Sequence, residues 1–506
     1  MSRYLLAHDL GTSGNKATLY TTDGRLIASK TYDYDTKYFN VNWAEQNPED
    51  WWKAVCNSTR ELIKDIDTKQ IVAVSFSGQM MGCVCVDRHG RPLKNSIIYA
   101  DQRATKETDK ILQKIDAMEF YKITGHRASP SYSLEKLMWI KENEPHIYRN
   151  TYKMLNAKDY IVFKLTGNMA TDYTDASGTN AFDLNTYKWS EKIVDIAGID
   201  GDKLPEAYDS THVVGEITKE AAAETGLREG TPVIIGAGDG VCASVGAGCV
   251  KPGIAYNYIG STSWIGITAE KPIYDEKMRT MTWAHAVPGY VNPMGTMQTA
   301  GTALAWVKNE ICKIETKEAM EKGISPYEII NKEIEKSVPG ARGILFLPYL
   351  LGERTPHWNP NARGAFIGIN INHKREDLLR AVMEGITYNL NTIVNIFKNY
   401  VPIDGMVVIG GGAKSKIWRQ LMADIYNVRV LKPNYLEEAT SMGAAVIGGI
   451  GVGEFKDFDD AINKFIKIES DHIPNPAYRE IYQKTYQVFL HSYEALVEIY
   501  EELAKL

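Results

Sequence analysis

The sequence predicts an α/β protein built from two domains of related design. Three observations carry this. The chain has 506 residues, more than one hydrophobic core usually organises. A strand, a Gly/Ser/Thr turn and a second strand open the chain, and the same theme returns about one domain length later. Apolar strands repeatedly run into glycine clusters and then into helices rich in small residues.

The elements follow in order. Tyr4 to His8 reads as a strand that delivers Asp9-Leu10-Gly11-Thr12-Ser13-Gly14, and Lys16 to Tyr20 and Leu26 to Lys30 read as the next two. Such a hairpin tip is rich in backbone N–H and hydroxyl donors. Pro48 to Ile66 has helical periodicity with Pro at its entry. The apolar strand Ile71 to Phe76 leads to Ser77-Gly78-Gln79-Met80-Met81-Gly82, and alternation resumes at Cys83 to Val86. If that loop is extended, Gln79 and Met81 share a face and Met80 turns away. Thr105 to Lys164 reads mostly as helix.

Pro232 to Ile235 is a further strand, ending in Gly236-Ala237-Gly238-Asp239-Gly240, and Ala243 to Gly248 reads as a closely packed helix. Lys251-Pro252-Gly253 breaks the chain, so the expected domains are 1–250 and 251–506. Past the break, strands Ile254 to Ile259 and Trp264 to Thr268 flank Gly260-Ser261-Thr262-Ser263. Met406 to Ile409 ends in Gly410-Gly411-Gly412-Ala413, followed by helices Ile417 to Ile425 and Ala439 to Gly449. An amphipathic helix is expected from Pro474 to Leu506.

Composition excludes several classes. Hydrophobic residues make up 44%, charged residues 24%, and the net charge is −6, which gives no electrostatic case for nucleic acid or an anionic membrane. No apolar run is long enough to span a bilayer. The first ten residues read as a strand and not as a signal peptide, so a cytoplasmic location is expected. The six cysteines lack CxxC spacing and imply reduced thiols without a zinc site. His8, beside Asp9 at a strand end, reads as structural.

Glycine lets backbone approach phosphate, and serine or threonine hydroxyls add donors. Two such turns suit the two sides of a polyphosphate, and Lys16 could neutralise its charge. Asp9, at a strand's carboxyl end, suits Mg²⁺ held partly through water. Asp239, framed by glycines, could accept the proton of an attacking hydroxyl; on spacing alone it could equally cap the helix that follows. GxxxxGK[ST] and GxGxxG motifs are absent, so the P-loop and Rossmann readings lose their support.

Many ordered stretches resemble the FGGY carbohydrate kinases, and within them the xylulokinase branch. They include DLGTSG, WAEQNPEDWW (Trp43 to Trp52), SFSGQM (Ser75 to Met80), AKDYIVFKLTG (Ala157 to Gly167), GDG around Asp239, and GSTS at Gly260. Further along come LPYLLGERTPHWNP (Leu347 to Pro360) and IGGGAKSKIWRQ (Ile409 to Gln420). Ser131 to Asn143, with Lys136 and Trp139, and the stretch from Gly364 match other recurring signatures.

The resemblance implies two duplicated actin-like (ribonuclease H-like) ATPase domains flanking a deep cleft, with ATP and Mg²⁺ as cofactors. It implies Asp239 as general base and Asp9 as the metal- and phosphate-facing carboxylate. Thr12, Ser13 and Lys16 match the first phosphate turn, and Gly260 and Ser261 the second. Gly301, Gly411, Gly412 and Ala413 match the nucleoside end. On the sugar side stand Gln79, Met80, Met81, Tyr99, Asp101, Arg103 and Asp239. Met81 replaces a usual His, Tyr99 a frequent Trp, Ala100 a common Asn, and Gly240 an Asn or Gln, while Asp101 and Arg103 keep the pattern. The implied reaction is phosphorylation of a small sugar, foremost a pentulose of D-xylulose type giving the 5-phosphate, with ribulose, a tetritol or a glycerol-like polyol as alternatives. A sugar-sensing ATPase and an actin-like chaperone are the rival classes. ATP and a small sugar are the expected partners, and a homodimer is left open.

Overall fold

Strand β1 (Tyr4–Leu10) is covered on both faces, with Leu5, Leu6, Ala7 and Leu10 almost fully buried, as a central strand requires. The computed structural model describes residues 3–506, so Met1 and Ser2, part of the expected leading strand segment, lie outside the described residues. β1 pairs antiparallel with β2 (Gly14–Thr21), and β2 with β3 (Leu26–Asp33). Helix α1 (Pro48–Leu62) starts on the Asn47 side chain, which accepts from the Glu49 N–H; it stops four residues short of the expected Ile66. On its far side β1 pairs parallel with β4 (Ile71–Gly78). β5 (Val213–Glu216), β6 (Pro232–Ile234) and the short β7 (Ala237–Gly238) complete this sheet, whose order is β5-β6-β4-β1-β2-β3 with β7 also on β4.

Asp239 opens helix α2 (Asp239–Gly246). The helix therefore begins earlier than the expected Ala243, and Gly238 takes the N-cap position without a side-chain cap. The helix Ala439–Gly451 packs on α2 through glycines. A Cβ on Gly246 would lie 1.8 Å from the Ala439 carbonyl oxygen, and one on Gly443 only 2.0 Å from that of Cys242. Only glycine admits this approach.

The expected helical stretch 105–164 is interrupted. Helices Thr105–Leu112, Ala117–Thr124, Ser133–Asn143, Pro145–Asn150 and Ala157–Thr166 occur, but strand Lys153–Leu155 lies among them and pairs with Val84–Val86. An isolated three-residue strand leaves too short a pattern to be read.

By internal contacts the chain forms two units. One comprises the chain up to Lys251, Thr268–Pro293 and Glu438–Ile466; the other Pro252–Ile267, Met294–Glu437 and Lys467–Leu506. In the second, β8 (Gly253–Ile259) pairs antiparallel with β9 (Ser263–Ile267), which meets β10 (Val291–Met297). Helix α3 (Arg375–Lys398), buried along most of its length, precedes β11 (Ile403–Ile409), which runs parallel to β8. After α4 (Lys416–Tyr426) come β12 (Arg429–Pro433) and β13 (Ile468–His472), giving the order β10-β9-β8-β11-β12-β13. The closing helix α5 spans Arg479–Leu503, starting later than the expected Pro474. The pattern of β8, antiparallel to the next strand and parallel to a later one, repeats that of β1.

Candidate active site

Register across the first sheet assembles the carboxylates. Asp9 of β1 stands opposite Lys16 of β2 and opposite Ser77 of β4, and Ser77 in turn stands opposite Ala237 of β7. One row further, Leu10, Gly78 and Gly238 align, so Asp239 emerges immediately past that row. Asp9 is held at both oxygens: Ser77 Oγ donates to Oδ1 at 2.8 Å and Thr440 Oγ1 to Oδ2 at 2.5 Å. Asp239 Oδ1 accepts the Gly240 N–H at 2.7 Å. Part of Asp239 still meets solvent. Dense packing around its carboxyl, and then the charge of Asp9, nevertheless push it up to about 7, against the pull of the Gly240 N–H.

The first turn and the loop from Ser77 to Gly82 share one amide. Gln46 Nε2 donates to the Thr12 carbonyl at 2.6 Å, and its Oε1 accepts from Gln79 Nε2 at 2.7 Å and from Trp51 Nε1 at 3.0 Å. Thr12 Oγ1 donates to Tyr99 Oη at 3.2 Å, and the Ser13 carbonyl accepts the Tyr34 N–H. Met80 is buried, and a Cβ on Gly238 would touch its Sδ at 2.4 Å. The loop is not extended, contrary to the expected shared face of Gln79 and Met81. Met81 adopts φ +63°, and its carbonyl accepts from Lys136 Nζ at 2.7 Å. Lys136 also donates to the Ser131 carbonyl, and burial draws its ammonium down to about 7.

Asp101 and Arg103 face each other in a buried pair at 2.7 Å, their side chains 0% and 1% exposed. The guanidinium lies 3.8 Å from the Trp43 ring centroid and 2.9 Å from Glu45, and Asp101 accepts the Ala44 N–H. This pair is enclosed within the protein and braces the loop that carries Tyr99. His8 is fully buried between Asn15 and Thr59, and burial lowers its imidazole to about 4, so it is neutral and structural.

In the second unit the other candidates converge. The Gly301 N–H donates to the Gly260 carbonyl at 2.9 Å, and the Ser261 carbonyl accepts from the Ala300 and Thr302 N–H groups and the Thr302 hydroxyl. A Cβ on Gly301 would lie 2.3 Å from the Gly260 oxygen, and one on Gly412 2.4 Å from Ile259, the residue before Gly260. Gly411 faces open space, while Ala413 is buried. These residues thus meet at the carboxyl ends of β8 and β11.

Sequence reading missed Thr440, Gln46 and the bracing role of Trp43. Gln46 and Trp43 lie inside a recognised motif, but nothing local marks Thr440 as a partner of a residue at the other end of the chain. Among the described residues, all six cysteines are unpaired, no cluster of three or more His, Cys, Asp or Glu side chains could hold a metal, and no helix is long and apolar enough to cross a membrane.

Two family models match the chain: the N-terminal domain of the FGGY family of carbohydrate kinases over residues 4–246 and the C-terminal domain over 255–452. The chain belongs to the FGGY family of carbohydrate kinases, and it is a phosphotransferase of that class. Among similar proteins, the gluconokinase of Bacillus licheniformis is 33% identical over 100% of this chain and 98% of its own length. The xylulose kinase of Bacillus subtilis is 33% identical over 97% of each chain. The ligand-bound xylulose kinase of Lactobacillus acidophilus superposes with TM-score 0.91 at 28% identity, covering 99% of this chain and 100% of that one.

Proposed function

We propose that this carbohydrate kinase transfers the γ-phosphoryl group of ATP to a primary hydroxyl of a pentulose of D-xylulose type, giving the sugar 5-phosphate and ADP. The observation that carries this reading is Asp239, a carboxyl raised to about 7 beside Asp9 at the sheet's carboxyl edge. A base of that strength takes the hydroxyl proton as the oxygen attacks phosphorus. Burial and Asp9 set its proton affinity, and the small residues around it would leave room for the acceptor.

The residues also fit Mg²⁺ arriving with the nucleotide. Mg²⁺ takes one or two carboxylates and completes its shell with water and phosphate oxygens, so a lone oriented carboxylate suffices. Asp9, fixed by two hydroxyls, would hold it; when bound, the ion neutralises charge between phosphates. Lys16, opposite Asp9, together with Thr12 and Ser13, would meet the phosphates. Gly260, Ser261, Gly301, Gly411, Gly412 and Ala413 would receive the rest of the nucleotide. Gln79, Met80, Met81 and Tyr99 would line the sugar site, with Asp101 and Arg103 shaping it from behind. On this reading 1–250 carries the sugar and base, and 251–506 the nucleoside.

Likeness to a gluconokinase over the whole chain supports a second reading, a sugar acid as acceptor. A coupled assay of ADP release with D-xylulose, D-ribulose, erythritol, glycerol and D-gluconate separates them. Turnover is expected with the pentulose, accompanied by stoichiometric sugar phosphate. ADP release that ignores every acceptor would overturn the kinase reading in favour of a sensor or chaperone ATPase.

A further inference from the structure

Near Met80 stands a residue that no motif announced. Trp283, in strand Met281–Ala284, is 5% exposed, and its indole Nε1, which can only donate, is buried without an acceptor. Its neighbours fix its place. The Thr282 N–H donates to the Gly125 carbonyl at 2.9 Å, and the Ala284 N–H to Ser177 Oγ at 3.1 Å. The ring packs against His126 at 4.8 Å between centroids, and His126 against Tyr132 at 4.9 Å. Full burial draws the His126 imidazole down to about 3, so this support is neutral.

The unpartnered nitrogen lies beside Gly178, whose lack of a side chain lets Met80 and Trp283 come close. A Cβ on Gly178 would meet Met80 Cε at 3.1 Å and Trp283 Nε1 at 3.4 Å. Met80 in turn fills the space beside Gly238, the residue before Asp239. Gln79, next to Met80, has an amide oxygen that is likewise buried and unpartnered. A buried donor near Met80 and a buried acceptor on its chain neighbour are thus both unpartnered, one residue pair away from Gly238 and Asp239. Buried polar atoms normally have partners, and an orphan pair at a binding site is satisfied by what binds there.

We propose that Trp283 is a specificity-determining residue whose indole N–H donates to one acceptor oxygen of the polyol, a hydroxyl or carboxylate remote from the phosphorylated end. This rests on the sugar-kinase reading above. A site built to bond an oxygen discriminates strongly against an analogue that lacks it.

The test is Trp283→Phe, assayed on the accepted sugar and its monodeoxy analogues. The variant should lose about tenfold or more in kcat/KM through KM, with the KM for ATP unchanged. For one deoxy analogue, parent and variant should perform alike. Equal loss on every analogue would make Trp283 mere packing and overturn the proposal, as would no loss at all. Should the variant fail to fold, indole ¹⁵N–¹H spectra of the parent titrated with each panel compound decide: the Trp283 resonance, assigned through Trp283→Tyr, must move downfield with a bound polyol. A fixed Trp283 resonance under demonstrated binding overturns the proposal. A parent that binds a polyol but releases no ADP refutes the kinase reading alone, since the spectra still decide Trp283.

Discussion

Thr440 donates to Asp9 across 431 positions of sequence, at 2.5 Å. With Ser77 at the other oxygen, both carboxylate oxygens are held by hydroxyls. Thr440→Val should therefore shift the Mg²⁺ activation curve to higher concentration and lower kcat by roughly tenfold, the worth of one charged hydrogen bond. Thr440→Ser should restore both. Identical Mg²⁺ titrations for Val variant and parent would show that Asp9 needs no such clamp.

Asp239→Asn removes the proton acceptor and should cost about a hundredfold to ten-thousandfold in kcat with ATP affinity kept. In the parent, kcat/KM for the sugar should rise with pH and level off above about 7, as the carboxyl loses its proton. The stability sign is the reverse. The folded state holds this proton more tightly than the unfolded chain does, so its contribution declines from the ordinary carboxylate range up to about 7. Above that pH, Asp239→Asn should be more resistant to urea than the parent. Near parental kcat in the variant would remove Asp239 from the mechanism.

Much of this was legible because strand ends, glycine turns and apolar runs are local signals. Asp9, Asp239, Gly260 and Gly411 could be picked out by the strands that deliver them. The Gln79–Met81 loop was misread as extended, since a methionine gives no warning of a left-handed φ set by Lys136, a partner 55 positions away. Trp283 and His126 were invisible for the same reason: each is an ordinary apolar-strand or loop residue until tertiary packing brings the rings together. Asp101 and Arg103 were legible as residues that keep the family pattern, but not as a buried ion pair.

Met81 carries a side chain in a conformation that glycine adopts freely. Met81→Val should be less stable than Met81→Gly by about 1–2 kcal/mol, because branching at Cβ worsens the left-handed clash. Urea midpoints of the two variants measure it; equal midpoints would show that the loop relaxes.

Lys136→Met deletes the donor to the Met81 and Ser131 carbonyls. The KM for sugar should rise several-fold, on the order of one lost hydrogen bond, while the KM for ATP stays put. A parallel rise in both would mean general loosening of the fold.

Gly443→Ala would force a methyl against the Cys242 carbonyl. Overpacking of this kind costs about 1–3 kcal/mol. Turnover should fall with stability, because the two displaced helices begin at Asp239 and next to Thr440. A variant with parental urea midpoint and kcat would show that the helices separate freely.

The first unit is discontinuous in sequence, and Glu438–Ile466 supplies both the helix against α2 and the hydroxyl on Asp9. During translation, at about 5–20 residues per second, the opening strands and glycine turn emerge long before that segment exists. For some tens of seconds the nascent chain carries α2 without the helix that covers it in the folded protein. A chain that stops before Glu438 would therefore leave its Asp9 carboxylate without the Thr440 hydroxyl.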